Sequence, residues 1–92
     1  LCGGSGAEFI SQAIREKAGI YITADVKYHD FFNTENQIVI ADVGHFESEQ
    51  CIKEVFYEQI SKNFINFAIL KAECDKNPVK YTYIIEDQEY KY

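Results

Sequence analysis

The run "IVIADV", residues 38–43, breaks at an acid and a glycine and is followed at once by a helical pattern. The same rhythm occurs three times: "CGGSG" before a helix-like stretch, "YITADVKYHD" spanning a short β-rich run and its turn, and "IADVGHFESE". Short apolar strands alternating with helices read as βαβ units and as a mainly parallel sheet. Right-handed crossovers put every strand-to-helix turn at one edge of such a sheet. That edge is where ligands of open α/β folds bind.

The expected fold is a layered α/β domain with flanking helices, in the order βαβαβαβ. Ser5 and Glu8 have capping-box spacing, with Gly19 at the far end of a helix whose inward face carries Phe9, Ile10, Ala13 and Ile14. Residues 20–23 form a strand. A short helix capped by Asp25 follows and buries Val26, Phe31 and Phe32. Residues 38–43 form a buried strand. A helix over 45–64 turns Ile52, Val55, Phe56 and Ile60 inward. Strands are expected at 66–73 and 79–85. One domain over 1–85 and a flexible tail over 86–92 complete the organisation. The chain lacks methionine, and "LCGG" reads as the end of a strand, so a fragment of a longer protein is expected.

Charge and cysteine usage narrow the function. A net charge of −6 argues against a nucleic-acid partner, which needs a basic face. No apolar run approaches the roughly 20 residues that cross a bilayer. Three widely spaced cysteines without a C-x-x-C pair form neither a disulfide framework nor a zinc knuckle. Reduced thiols in a cytoplasmic protein are expected.

Each turn carries candidate chemistry beside an ordinary structural explanation. His45 and Glu49 stand one helical turn apart, so both reach a single divalent ion; acids are also common in a helix's first turn because of its dipole. The stripe 45, 49, 52, 56 turns Glu49 inward, whereas Glu47 lies off it and reads as a solvated acid. Gly3, Gly4, Ser5 and Gly6 form either an anion-holding turn or a tight turn with a capping serine. Lys27 is placed to neutralise an anionic ligand and His29 to move protons near neutral pH; a capped helix with a core-edge histidine explains both equally.

Together and in this order, "CGGSGAEFI", "YITADVKYHD" and "IADVGHFESE" resemble the Nif-three-like dinuclear metal-centre family, the GTP cyclohydrolase 1 type 2 homologues. The family pattern reads C-G-G-S-G, Y-I-T-G-D-x-K-Y-H and D-x-G-H-x-x-x-E, and the match covers most of residues 1 to 75. Ala24 replaces the usual glycine of T-G-D. The resemblance implies two related α/β lobes, ring-shaped homohexamers and a pair of divalent metal ions between the lobes. It assigns His45 as ligand to one ion and Glu49 as the bridge. Zinc, iron, manganese and nickel suit such ligands alike. The family's adjacent histidine pair is missing, so the chain resembles the C-terminal lobe, with the remaining ligands on an N-terminal lobe. The implied function is metal-dependent hydrolysis of a nucleotide-like substrate, with Lys27 and the Gly3–Gly6 turn steering its charge and His29 carrying protons. The alternative is a non-catalytic metal-binding or regulatory module. The isolated chain is expected to be inactive.

Overall fold

Ile20–Thr23 (β1) and Val39–Asp42 (β2) pair in parallel, Ile20 against Val39 through Thr23 against Asp42. They belong to a computed structural model that describes residues 1–84. The expected tail over 86–92 and the last residue of the expected final strand lie outside the described residues. β1 turns its odd-numbered backbone groups to β2: the Gly19 and Thr23 carbonyls accept from Val39 and Val43 N–H. Its even-numbered groups face the opening segment. There Cys2 N–H donates to Ile22 O at 2.9 Å, Ala24 N–H donates to Gly4 O at 2.9 Å, and Ser5 bridges Ala24 in parallel. The sheet thus runs opening segment, β1, β2, which confirms the mixed α/β class and its parallel sense.

The first helix departs from its expected cap. A 3-10 turn at Ala7–Phe9 leads into Ile10–Arg15 (α1), and no side chain caps either start. The Ser5 hydroxyl bonds instead to Asp25. The left-handed residue that closes the helix is Lys17 (φ 57°), just past the Glu16 cap, not Gly19. Lys17 N–H bonds Ile14 O and Ala18 N–H bonds Ala13 O, the paired closure that satisfies the last carbonyls. Ile10 packs with Tyr21 and Ile38 as the buried core, with Ala13, Ile14, Ala18 and Val26 partly buried around it. Ala24 is fully buried and keeps negative φ, so its methyl is accommodated.

Tyr28–Phe32 (α2) is capped by Asp30, which accepts from Lys27 N–H at 3.2 Å, rather than by Asp25. Phe31 and Phe32 are exposed, because no described element lies over that face. β2 is likewise only half covered.

The expected long helix is two: His45–Glu49 (α3) and Ile52–Asn63 (α4), broken at Gln50–Cys51. Ile52, Val55, Phe56 and Ile60 are all more than 40% exposed, so the apolar stripe is real but uncovered among the described residues. Neither later strand forms among the described residues. Residues 66–73 lie beside α4, tied there by Lys53 Nζ to Ala72 O and by Lys71 Nζ to both Glu54 carboxylate oxygens. An apolar run marks burial or strand equally well, and here it finds no strand edge. Over 79–84, Asn77 Oδ1 accepts Val79 N–H and Tyr81 OH donates to Glu47, so side-chain bonds, one local and one distant, stand where a ladder was expected. All three cysteines are free, and no helix of the described residues is long and apolar enough to cross a membrane.

Candidate metal centre

The three turns do meet at one edge of the sheet. Asp42, ending β2, accepts Val26 N–H at 3.0 Å through Oδ2 and Gly44 N–H at 3.1 Å through Oδ1, which joins the second turn to the third. Ser48 on α3 accepts Gly4 N–H at 2.8 Å and donates to His45 O at 2.9 Å, joining the first turn to the helix. Thr23, wholly buried, and Tyr21 hold the glycine turn from beneath by donating to Gly4 O and Gly6 O.

His45 stands at the meeting point. Its Nδ1 lies 2.5 Å from Asp25 Oδ2, and its Nε2 lies 3.0 Å from Glu49 Oε2. The i to i+4 spacing therefore brings the pair together as expected. Glu49 is not turned into a core, however: its side chain is 50% exposed, and the stripe it shares with Ile52 and Phe56 is uncovered among the described residues. Gly4 sits against the pair. At φ 67° it adopts a conformation that favours glycine, and a Cβ there would overlap Glu49 Oε1 and come within 3.2 Å of His45 Nε2. Gly3 packs on Ser48 O and the Glu49 side chain. The glycine turn therefore serves close packing under α3. Its Gly4 N–H and Ser5 hydroxyl are already engaged.

Lys27 and His29 are placed elsewhere. Both are exposed at the start of α2, where His29 meets the Tyr28 ring edge-on, and neither lines the cavity beside His45. Glu47 is no free acid: its Oε1 accepts from Asn77 Nδ2 and Tyr81 OH, each at 2.8 Å. Those bonds fold residues 77–81 across α3. They form one wall of a cavity of about 590 Å³ that also includes Asp25, His45, Glu49 and Ile52. Sequence reasoning missed Asp25, Asp42 and Ser48 as parts of the site. The D-x-G turn signals Asp42; nothing local signals Asp25 or Ser48.

The charges of the pair are coupled. The Ser5 hydroxyl, and then His45, hold the Asp25 carboxyl below its ordinary 3.8. The Asp25 hydrogen bond, and then the charge of Glu49, hold His45 above its ordinary 6.5. A raised histidine contributes stability that is complete below 6.5 and lost as pH rises through its folded value. A lowered aspartate contributes stability that is present above 3.8 and lost as pH falls through its folded value. The stability difference between this chain and Asp25→Ala is thus expected to be greatest between pH 3.8 and 6.5. Urea midpoints over roughly pH 3–9 check it; a difference that does not vary with pH contradicts it.

Among the described residues no group of three or more His, Cys, Asp or Glu side chains is arranged to hold a metal ion. What is present is an imidazole and a carboxylate converging on one point, with a glycine leaving room for the carboxylate. That donor set fits part of a divalent-ion site.

Comparison with known proteins bears on this arrangement. A Campylobacter jejuni protein called GTP cyclohydrolase 1 type 2 homolog is 34% identical over 83 residues, which is 88% of this chain and 32% of the relative. A Staphylococcus epidermidis protein of the same name is 29% identical over 88% of this chain and 23% of its own length. The chain thus spans a third or less of these relatives. The crystal structure of Staphylococcus aureus protein SA1388 superposes with a TM-score of 0.65 at 24% identity, over 87% of this chain and 27% of that one, and shows the fold alone. A Bacillus cereus protein related to NIF3 gives 0.63 at 25% identity, over 87% of this chain and 23% of that one. The family model Duf34/NIF3 (NGG1p interacting factor 3) matches residues 1–78, and the chain belongs to that family.

Proposed function

We propose that this chain contributes His45 and Glu49 to a divalent-metal site whose remaining ligands lie outside the described residues. The observation that carries this reading is the convergence of His45 Nε2 and Glu49 Oε2 to 3.0 Å over a glycine that leaves no Cβ in the way. A pair of donors holds an ion loosely; three or four per ion are usual. The chain's limited span of its relatives supports ligands supplied from elsewhere. The ion would be zinc, iron, manganese or nickel, and a second ion bridged by Glu49 extends the same reading.

The names of the relatives support a hydrolase of the GTP cyclohydrolase type acting on a nucleotide-like substrate. A bound divalent ion supplies Lewis acidity and lowers the pKa of water. In this chain Glu49 and His45 bind and orient, and the cavity walled by Ile52, Pro78, Val79 and Tyr81 offers apolar surface for a ring. A second reading is a non-catalytic metal-binding or regulatory module that works as part of an assembly. The exposed apolar stripe on α4 supports burial against another lobe or another copy.

Titration with Zn²⁺ by calorimetry and NMR tests the ligand assignment. Weak saturable binding that first perturbs His45 and Glu49 is expected, lost in His45→Ala and in Glu49→Ala. Unchanged binding in His45→Ala, with the fold intact, ends the assignment. The chain alone is expected to turn over no GTP with Zn²⁺ or Mn²⁺ present. Metal-dependent turnover of a nucleotide by protein carrying the complete ligand set separates the hydrolase from the binding module.

A further inference from the structure

We infer that Asp25 is a positioning residue: its carboxylate holds Nδ1 of His45 so that the imidazole presents Nε2 towards Glu49. The metal half of this inference rests on the function proposed above; the orientation half does not.

The two carboxylates lie on opposite ring nitrogens, Asp25 at Nδ1 and Glu49 at Nε2. One ion cannot take both through the same imidazole, so Asp25 is no ligand to an ion shared by His45 and Glu49. A neutral imidazole has a single N–H. If that N–H donates to Asp25, the lone pair is left on Nε2, on the Glu49 side. Carboxylates paired in this way with metal-binding histidines fix the tautomer and the ring orientation.

The aspartate is itself held. Its backbone is left-handed, at φ 53°. The next residue, Val26, is fastened by its N–H to Asp42. Ser5 donates to Asp25 Oδ2 at 2.6 Å, on the same oxygen that meets His45. Each of the three turns therefore gives one member, Ser5, Asp25 and His45, so the chain of bonds exists only when the turns are assembled. Neither the serine nor the aspartate caps a helix here; both belong to this chain of bonds.

The test uses two-bond ¹H–¹⁵N correlation spectra of the ¹⁵N-labelled chain, metal-free, at a pH where imidazole is neutral. The chain has two histidines, and His29 is the internal reference. His45 is expected in the Nδ1–H form. In Asp25→Ala it is expected to revert to the Nε2–H form that free imidazole prefers, with His29 unchanged, and Zn²⁺ binding is expected to weaken by roughly 10–100-fold. Asp25→Asn keeps an acceptor and suits the left-handed turn, so it should recover part of both effects. Ser5→Ala leaves the Asp25 backbone alone and should give a smaller shift of the same sign. An Nε2–H form in the unaltered chain overturns the inference. So does an Asp25→Ala variant that loses Zn²⁺ without a change of tautomer, since Asp25 would then act only through the fold. A tautomer that switches as expected in a chain taking up no Zn²⁺ leaves the positioning role standing and ends the metal reading.

Discussion

Gly6→Ala is expected to lower the free energy of unfolding by about 2–4 kcal/mol. A Cβ at Gly6 would overlap Thr23 Oγ1 and sit 2.7 Å from Tyr21 OH and 2.9 Å from Cys2 Cβ. Thr23 and Tyr21 are buried, and both are fastened to the glycine turn, so neither can swing aside without breaking a bond. Overpacking of this kind costs about 1–3 kcal/mol. Losing the 2.8 Å bond from Tyr21 OH to Gly6 O adds about 1 kcal/mol. Small domains hold about 5–15 kcal/mol in total, and few large side chains are buried among the described residues, so the loss is a large share of the whole. Urea denaturation followed by circular dichroism gives the answer. A loss under about 0.5 kcal/mol, the scatter of neutral surface changes, would mean the turn is looser than its contacts indicate.

Gly4→Ala, two residues away, should strike the site more than the fold. Left-handed backbone at φ 67° costs a non-glycine residue about 1–2 kcal/mol. The atom its Cβ would meet is the far end of a flexible side chain, Glu49 Oε1, which can move. The carboxylate is therefore expected to leave its place beside His45 Nε2. Zn²⁺ binding should drop to the level of Glu49→Ala while most of the fold remains. Retention of the unaltered affinity would show that the glycine is not needed to seat the carboxylate. The two variants separate readily: one unfolds the turn, the other leaves it standing and empties it of its acid.

Local pattern was a good guide where local physics governs. The strands at 20–23 and 39–42, the helices after each turn and the His45–Glu49 pair follow from hydrophobic runs and from 3.6-residue spacing. It misled where the partner of a segment decides its form. Residues 66–73 and 79–84 have strand composition, but an extended segment becomes a strand only beside a free edge, and Lys53, Lys71, Asn77 and Glu47 bind these segments to helices first. The helix over 45–64 is interrupted at Gln50–Cys51, and its apolar stripe, Glu49 included, has nothing over it among the described residues. Ser5, read as a cap, bonds to Asp25.

By itself the sequence determined the α/β class, the three turns and the family, since each strand run, glycine turn and one-turn His–Glu spacing is encoded in a few neighbouring residues. Only the tertiary structure decided which side chains meet. Ser5 finds Asp25 across 20 positions, Asp25 finds His45 across another 20, and Gly4 finds Ser48 across 44. Those bonds exist because parallel strands bring their ends to one edge, and no local spacing rule reports which groups will face each other there.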